Sequence, residues 1–462
     1  MRTIDRIYID GQFVTPHGTD YGELFNPATE QVIGRVRLAD AEDARAAVAA
    51  AKRAFPALAR TTKAERIAML RRLHDAVAAR APALSASMIE EYGAPGYFVD
   101  ASTKRSATVF LDMIETLEGF VFEESIGRAE VKLTPLGVVA AITPWNSNHG
   151  FICGKLAASL AAGCPIVIKP SEMSALQTDI LTEALHEAGL PPGVVNIVTG
   201  TGPVVGAELS AHPDVAKVSF TGSTATGRVI LRSAAETFKR VTLELGGKGP
   251  SLILADADLA PAAKIAAGAG LMNSGQACVA GTRILVPRAK LDEFLPMLTA
   301  AVTAVEVGPM VSAKQWERVQ GYIRLGQEEG AQILTGGEGR PEGIQRGWFV
   351  RPTIFIGVRN DMRIAREEIF GPVLSVIAYD DEEEAIAIAN DTSYGLQSYV
   401  MSADSEHARA VAARLDAGRV VINGAAHEPL APFGGFKQSG IGREYGHYGL
   451  RAHLEPKAVL TP

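Results

Sequence analysis

Val138-Val-Ala-Ala-Ile-Thr143 is an apolar, strand-like segment, and a helix-like run from Gly150 to Ala162 follows it. The same succession of strand and helix returns several times before residue 246. The further strand-like segments are 165–169, 194–199, 215–220 and 241–245. Apolar strands that alternate with helices are typical of a parallel sheet with helices on both faces. The sequence therefore predicts an α/β fold of the Rossmann-like kind.

The segments on either side of this alternating region extend the prediction. Before it, three Ala-rich helices are predicted at Ala41–Ala59, Thr62–Ala83 and Ser102–Glu118, with Asp40 and Thr61 or Thr62 as N-caps. After Pro250 a second α/β region is predicted, in which a helix at Leu259–Asn273 precedes a strand at Arg283–Pro287. Strand-like runs also occur at Glu123–Pro135 and at Leu454–Leu460.

Composition and charge limit the class of protein. A chain of 462 residues is expected to form two or more domains, and 47% hydrophobic with 21% charged residues is ordinary globular composition. A net charge of −7 gives no electrostatic reason to expect nucleic acid or anionic lipid as a partner. Three cysteines, no secretory signal and no apolar run of membrane-spanning length predict a cytoplasmic protein.

Three polar residues are candidates for covalent chemistry. Cys278 lies between Gly275 and Gly281 at the junction of a helix and a strand, so it is either a nucleophile or a buried structural thiol. Glu244 lies in an otherwise apolar strand and is either a general base or an ion-pair partner of Lys248. Asn146 directly follows a strand, where its amide either stabilises an oxyanion or forms a turn.

Ligands of parallel sheets bind at the carboxyl ends of the strands, which directs attention to the loops there. Lys169 and Glu172 are expected to contact ribose, and an acidic residue at that place favours NAD over NADP; the alternative is an ordinary exposed loop. The Ser223 hydroxyl either holds a phosphate or caps a helix. Glu368 can bind a sugar hydroxyl and Phe370 can pack on a flat ring, or the loop is simply anchored by Phe370.

Taken in order, these segments resemble the aldehyde dehydrogenase superfamily, of the NAD(P)-dependent, non-acylating type. The matching pieces are Asn26-Pro-Ala-Thr29, Pro144-Trp-Asn146, Lys169-Pro-Ser-Glu172, Phe220-Thr-Gly-Ser223, Leu243-Glu-Leu-Gly-Gly-Lys248, Gly275-Gln-Ala-Cys278, Glu368-Ile-Phe-Gly-Pro372, Pro432-Phe-Gly-Gly435 and Gly440-Ile-Gly-Arg-Glu444. Each motif alone is weak, but the ordered set covers nearly the whole chain.

The resemblance implies a mechanism and a set of site residues. Cys278 would attack the aldehyde as a thiolate, the Asn146 amide and the Cys278 N–H would hold the oxyanion, and hydride would pass to NAD. Glu244 would activate the water that hydrolyses the thioester, with assistance in proton transfer from Glu444. No metal is implied. The implied cofactor contacts are Ile142, Thr143, Pro144, Trp145, Lys169, Ser171, Glu172, Gly202, Phe220, Thr221, Gly222, Ser223, Leu245, Gly246, Glu368 and Phe370.

The resemblance also implies three structural parts. Residues 1–122 and 137–249 would form the NAD-binding domain, residues 250–430 the catalytic domain, and residues 123–136 and 445–462 a β hairpin that makes a homodimer or homotetramer. Relatives usually carry a longer loop before Val307, and its absence here predicts altered local packing rather than lost activity.

The substrate pocket implied by the resemblance is lined by small and polar residues. Its candidate residues are Ser147, Phe151, Ala277, Val279, Ala425 and Phe433. No arginine is among them, so a neutral aromatic or medium-chain aldehyde is expected. Two other functions remain open: a CoA-acylating semialdehyde dehydrogenase, which Glu244 disfavours, and a non-catalytic NAD-binding protein, which the joint presence of Cys278, Glu244 and Asn146 disfavours.

Overall fold

The structure, a computed structural model, describes residues 2–461. Its strands are β1 (Arg2–Ile4), β2 (Ile7–Ile9), β3 (Gln12–Val14), β4 (Tyr21–Asn26), β5 (Gln31–Arg37), β6 (Glu123–Ile126), β7 (Ala129–Pro135), β8 (Val138–Ile142), β9 (Ile166–Lys169), β10 (Val195–Ile197), β11 (Val215–Thr221), β12 (Arg240–Glu244), β13 (Pro250–Ile253), β14 (Arg283–Pro287), β15 (Gln332–Thr335), β16 (Thr353–Ile356), β17 (Val373–Tyr379), β18 (Gln397–Met401), β19 (Arg419–Ile422), β20 (Gly440–Ile441) and β21 (Leu454–Leu460).

The helices pack on and between the sheets that these strands form. They are α1 (Ala41–Leu58), α2 (Lys63–Ala79), α3 (Ala81–Tyr92), α4 (Gly96–Gly119), α5 (Asn148–Ala162), α6 (Ala175–Glu187), α7 (Ala207–Ala211), α8 (Thr224–Ala235), α9 (Leu259–Gly270), α10 (Leu291–Ala304), α11 (Ala313–Glu328), α12 (Arg363–Arg366), α13 (Glu382–Asn390), α14 (Ser405–Ala412) and α15 (Gly446–Arg451). None of the helices within residues 2–461 is both long enough and apolar enough to cross a bilayer.

The first large sheet has the strand order β20-β12-β11-β8-β9-β10-β2-β3. Its central strands β12, β11, β8, β9 and β10 are parallel, whereas β20 and β2 pair antiparallel at either side. All five residues of β8 are buried, because helices cover both faces: α2, α4, α5 and α6 on one face, and α1, α7 and α8 on the other. The predicted alternation of parallel strands and helices is confirmed.

The second large sheet has the order β15-β16-β17-β14-β13-β18-β19, and all of its pairs are parallel except β15 with β16. Helices α9 and α10 pack on one side of it, and α13 and α14 on the other. Separately, β21 pairs antiparallel with β7, which forms a hairpin with β6. The predicted α/β class, with two helix-covered sheets and a small β hairpin, is therefore confirmed.

Several predicted helices have different ends in the structure. The predicted helix Ser102–Glu118 begins earlier, at Gly96, and ends at Gly119 as α4. The predicted helix Thr62–Ala83 is two helices, α2 and α3, that meet at Arg80, because Pro82 lacks the N–H that a continuous helix requires. The predicted helix Leu259–Asn273 ends at Gly270 as α9. Asp40 and Thr62 accept hydrogen bonds from the first turns of α1 and α2, as predicted for N-caps.

Candidate active site

The carboxyl ends of β8, β11 and β12 open into a cavity of about 630 Å³, whose opposite wall comes from the second α/β region. Parallel strands place their carboxyl ends at one edge of the sheet, which explains why residues far apart in sequence meet here. The predicted site residues that line the cavity are Pro144, Trp145, Asn146, Phe151, Thr221, Gly222, Ser223, Glu244, Leu245, Gly246, Cys278, Glu368 and Phe370. Sequence analysis missed Thr224, Ala225, Arg228, Gln315, Arg318, Tyr322, Glu367, Tyr394 and Gln438, which also line it.

The other predicted site residues are not on the walls of this cavity. Among them, Lys169 Nζ donates to Glu172 Oε2 at 3.1 Å, and Ser171 Oγ accepts from the Met173 N–H. Ala425 is exposed. The residues of this group are Ile142, Thr143, Ser147, Lys169, Ser171, Glu172, Gly202, Phe220, Ala277, Val279, Ala425, Phe433 and Glu444.

Cys278 lies in a loop whose path depends on left-handed backbone conformations. Asn273, Ser274 and Gly275 have φ values of 52°, 60° and 73°, and a Cβ on Gly275 would lie 2.1 Å from the Gly371 carbonyl oxygen. On the other side, a Cβ on Gly247 would lie 2.2 Å from the Cys278 carbonyl oxygen. Both glycines therefore permit close backbone approach, which brings the Cys278 loop against the segment that follows β12.

The electrostatic surroundings of Cys278 disfavour its thiolate. Burial, together with the negative charges of Glu368 and Glu244, raises the pKa of the thiol to about 12, although the positive charge of Arg419 acts in the opposite direction. In this state the sulfur therefore carries its proton at neutral pH. The thiolate is the nucleophilic form of cysteine. Formation of the Cys278 thiolate at neutral pH therefore requires a base or a change in the surrounding charges.

This raised pKa predicts the pH dependence of alkylation. The rate constant for iodoacetamide modification of Cys278 should still rise above pH 9, whereas an ordinary thiol, with a pKa of about 8.5, levels off there. Mass spectrometry of the modified peptide measures this rate constant. The Cys278→Ala variant gives the background alkylation of Cys153 and Cys164, which are both buried. A plateau below pH 8 would contradict the pKa direction.

Glu244 ends β12 and is buried, with 2% of its surface exposed. Both of its carboxylate oxygens lack a hydrogen-bond partner among the described residues. Burial raises the pKa of Glu244 well above its ordinary value and Glu444 raises it further, while Lys155 and Arg443 lower it. The alternative partner Lys248 is also buried, and its Nζ likewise has no partner within residues 2–461, so the two groups do not form an ion pair.

Asn146 connects the end of β8 to the cysteine loop. Its Nδ2 donates to the Gln276 carbonyl at 2.9 Å, and Asn273 Nδ2 donates to the Asn146 carbonyl at 3.2 Å. A carboxamide nitrogen has two N–H groups, and one suffices for Gln276. The other N–H has no hydrogen-bond partner among the described residues.

Glu444 belongs to a buried polar cluster behind Glu244. Lys155 Nζ donates to Glu444 Oε1 at 2.6 Å and to Ser219 Oγ at 3.0 Å, and Ser219 Oγ donates to Glu444 Oε1 at 3.3 Å. The Lys155 side chain is only 1% exposed. Sequence analysis missed Lys155, although a lysine within the apolar helix α5 is the same kind of signal that identified Glu244.

The far wall of the cavity holds Glu368 and Phe370. Glu368 Oε1 accepts from the Gly247 N–H at 3.0 Å, and burial raises the pKa of Glu368 to about 7. The Phe370 ring lies 5.6 Å from that of Trp145, edge to face. On the sheet side, Ser223 caps α8 by accepting from the Thr226 N–H, which is the capping alternative.

The chain matches the family model described as "Aldehyde dehydrogenase family" over residues 13–459. It is 46% identical to 3-succinoylsemialdehyde-pyridine dehydrogenase of a Pseudomonas species, with 100% of this chain and 99% of the relative covered. It is 43% identical to a putative aldehyde dehydrogenase of Staphylococcus haemolyticus, with 99% of each chain covered.

The solved structures that resemble this chain are also aldehyde dehydrogenases. A cysteine-to-alanine mutant of aldehyde dehydrogenase C from Pseudomonas syringae, in complex with NAD+ and octanal, superposes with a TM-score of 0.97 at 42% identity, covering 99% of this chain and 96% of that one. Mycobacterium tuberculosis aldehyde dehydrogenase in complex with NAD+ superposes with a TM-score of 0.97 at 40% identity, covering 100% and 99%.

Proposed function

The chain belongs to the aldehyde dehydrogenase family, and on that basis we propose that it oxidises an aldehyde to a carboxylic acid with NAD, through a thiohemiacetal and a thioester on Cys278. The observation that carries this proposal is the cavity that Cys278, Glu244 and Asn146 share. A nucleophile, a base and an oxyanion donor on the walls of one cavity are the parts that covalent acyl chemistry requires.

The cavity suits a dinucleotide in its position and its polar groups. It lies at the carboxyl ends of parallel strands, and the Thr221 hydroxyl that faces it is buried without a partner in the described chain. NAD, when bound, accepts the hydride that leaves the aldehyde carbon. We propose that Glu368 and the Lys169–Glu172 pair hold ribose hydroxyls, that Ser223 and the α8 N-terminus face the pyrophosphate, and that Phe370 positions the nicotinamide.

The first half-reaction uses Cys278 and Asn146. The Cys278 thiol gives its proton to solvent water, the thiolate sulfur bonds to the aldehyde carbon, and the carbonyl oxygen becomes an oxyanion. The free N–H of Asn146 and the Cys278 backbone N–H donate to that oxygen and stabilise its charge. Loss of hydride from the same carbon re-forms the carbonyl and leaves a thioester on the sulfur.

The second half-reaction uses Glu244. Its carboxylate takes a proton from water as the water oxygen bonds to the thioester carbon, and the carbon–sulfur bond then breaks to release the acid and Cys278. The raised pKa of Glu244 makes it a stronger base than a solvated carboxylate. We propose that the buried Lys155–Glu444 pair helps to move the proton away.

Asn146→Ala removes the side-chain oxyanion donor and should lower kcat by about 10²–10³. Steady-state kinetics with a saturating aldehyde measures the loss. The KM for NAD should stay near the wild-type value, because the variant changes the oxyanion donor and leaves the proposed ribose contacts in place. A kcat within threefold of wild type would remove Asn146 from this role.

Four finer proposals accompany this function. The ribose-facing Glu172 repels a 2′-phosphate, so NAD should be preferred over NADP. Residues 1–122 with 137–249 serve as the cofactor domain and 250–430 as the catalytic domain. The sheet β21-β7-β6, whose β6 residues are all exposed, forms the interface of a homodimer or homotetramer because pairing hides strand edges. Free, scattered cysteines favour a cytoplasmic location.

An aldehyde panel read by NADH formation tests the proposed function, with NADP and CoA in parallel reactions. We expect NADH and free carboxylic acid without CoA. A product that forms only as a CoA thioester would support the acylating alternative. Binding of NAD without NADH formation from any aldehyde would support the non-catalytic alternative.

A further inference from the structure

Arg419 lies near Cys278, and Arg105 is connected to Arg419 through two aromatic side chains; neither arginine lines the cavity described above. Arg419 begins β19, and its Nε donates to Gln397, whose side chain also donates to the Tyr399 hydroxyl. That hydroxyl donates to the carbonyl of Val279, the residue after Cys278, so Arg419 is connected to the cysteine loop, and its positive charge opposes the rise in the pKa of Cys278. Arg105 lies on α4. Sequence analysis found no arginine here, because the two residues are far apart in the chain and share no motif.

The two guanidinium groups belong to one continuous wall of stacked side chains. The Arg419 guanidinium lies 5.0 Å from the centre of the Phe433 ring, and that of Arg105 lies 5.2 Å from the centre of the Tyr445 ring. The two rings are themselves 5.8 Å apart. Phe433 is a predicted substrate-pocket residue, so both arginines belong to the aromatic wall at that part of the predicted pocket.

The polar contacts of Arg419 leave its charge without a carboxylate partner. Its Nε donates to Gln397 Oε1, and Nη1 is 2.9 Å from His427 Nδ1. A guanidinium only donates, so Nδ1 accepts and the histidine is neutral. Burial and the two nearby arginines lower the pKa of His427 to about 4, in agreement with this. No ion pair to Arg419 occurs within residues 2–461.

Arg105 has a spare donor as well. Its Nη1 is paired with Asp112, while Nη2 is buried and has no hydrogen-bond partner in the described part of the chain. Glu444, the nearby acid, is already held by Lys155. The wall therefore carries one unpaired positive charge and one buried unpartnered N–H group, and both need an acceptor.

We propose that this wall binds a carboxylate at the remote end of the aldehyde, so that the preferred substrates are aldehydes with a terminal carboxylate rather than neutral aldehydes. Guanidinium groups pair with carboxylates through two parallel hydrogen bonds, which fixes the orientation of the molecule. A neutral aldehyde would leave the buried Arg105 Nη2 unsatisfied. The proposal rests on the proposed function, because the aldehyde end must reach Cys278.

The test compares 5-oxopentanoate with pentanal, which have the same chain length and differ by the carboxylate. We expect kcat/KM of the wild-type enzyme to be about 10- to 100-fold higher for 5-oxopentanoate. Arg419→Met and Arg105→Met should each reduce that ratio by about tenfold or more. Arg414→Met, a surface arginine paired with Glu383, is the matched control and should keep the wild-type ratio.

Arg419→Lys is the second variant, to be used if Arg419→Met does not fold. It keeps the positive charge but loses the two parallel N–H donors of the guanidinium, so its ratio of kcat/KM for 5-oxopentanoate over pentanal should lie between those of wild type and Arg419→Met. Glutarate should inhibit pentanal oxidation by wild type and less so in Arg105→Met. A wild-type ratio near one, or equal losses for both aldehydes in both arginine variants, overturns the proposal. Absence of NADH from both aldehydes in wild type would instead count against the proposed function, so the two failures are distinguishable.

Discussion

Cys278→Ala should lower the rate of aldehyde oxidation by about 10⁴-fold or more, which is the expected cost of removing a covalent nucleophile. The reason is chemical rather than structural, because alanine fits the half-buried position and loses only the sulfur. Without the sulfur neither the thiohemiacetal nor the thioester forms. NADH absorbance measures the loss, and calorimetry should give an NAD affinity near that of wild type.

Cys153→Ala is the matched control for this experiment. Cys153 is a fully buried thiol inside α5, and burial raises its pKa far out of the reactive range. Its removal should reduce stability slightly and keep the turnover rate. Cys278→Ala that still turns over aldehyde at more than a hundredth of the wild-type rate would refute the nucleophile assignment, provided that NAD binding is intact.

Glu244→Gln should separate the two half-reactions. Hydride transfer needs no base at this position once the thiolate has formed, whereas hydrolysis of the thioester needs one. Stopped-flow mixing should therefore show a burst of about one NADH per site, followed by a steady rate lower by about 10²–10⁴. The amide has nearly the same shape as the carboxylate, and neither oxygen has a hydrogen bond to lose in the described chain.

The control for Glu244→Gln is Glu338→Gln, which removes an exposed carboxylate paired with Arg324. This variant should show the wild-type steady rate. If Glu244→Gln shows no burst and an unchanged steady rate, the base is another group. Mass spectrometry of the stalled Glu244→Gln enzyme should find the acyl group on Cys278. An unmodified Cys278 would contradict the accumulation of a thioester whose hydrolysis is slow.

Much of the fold could be predicted from the sequence because its signals are local. The parallel strands of the first sheet are short apolar runs, and Asn146 and Glu244 lie at their carboxyl ends, which predicts that both residues are at the same edge of the sheet. Breaks in the helices were harder to predict. The left-handed run Asn273–Gly275 depends on the close approach of Gly371, a contact between distant segments that no local pattern reveals.

The two arginines of the proposed substrate side differ in how far the sequence could identify them. Arg105 is one of several charged residues on an amphipathic helix, and only the packing of α4 against Tyr445 gives it a special position. Arg419 did carry a signal, since it begins the apolar run Arg419–Ile422 as Glu244 ends another apolar strand. A charged residue inside an apolar strand is therefore the most useful sequence signal in this chain.

The pairing of β12 with β20 has a consequence for synthesis on the ribosome. Glu244 pairs with Gly440 across this edge, and β21 pairs with β7 from the end of the chain. Synthesis adds roughly 5–20 residues per second, so β12 is made on the order of tens of seconds before β20, its neighbour at this edge. A nascent chain therefore lacks the complete surroundings of Glu244, and a product that stops before residue 440 leaves an open strand edge prone to aggregation.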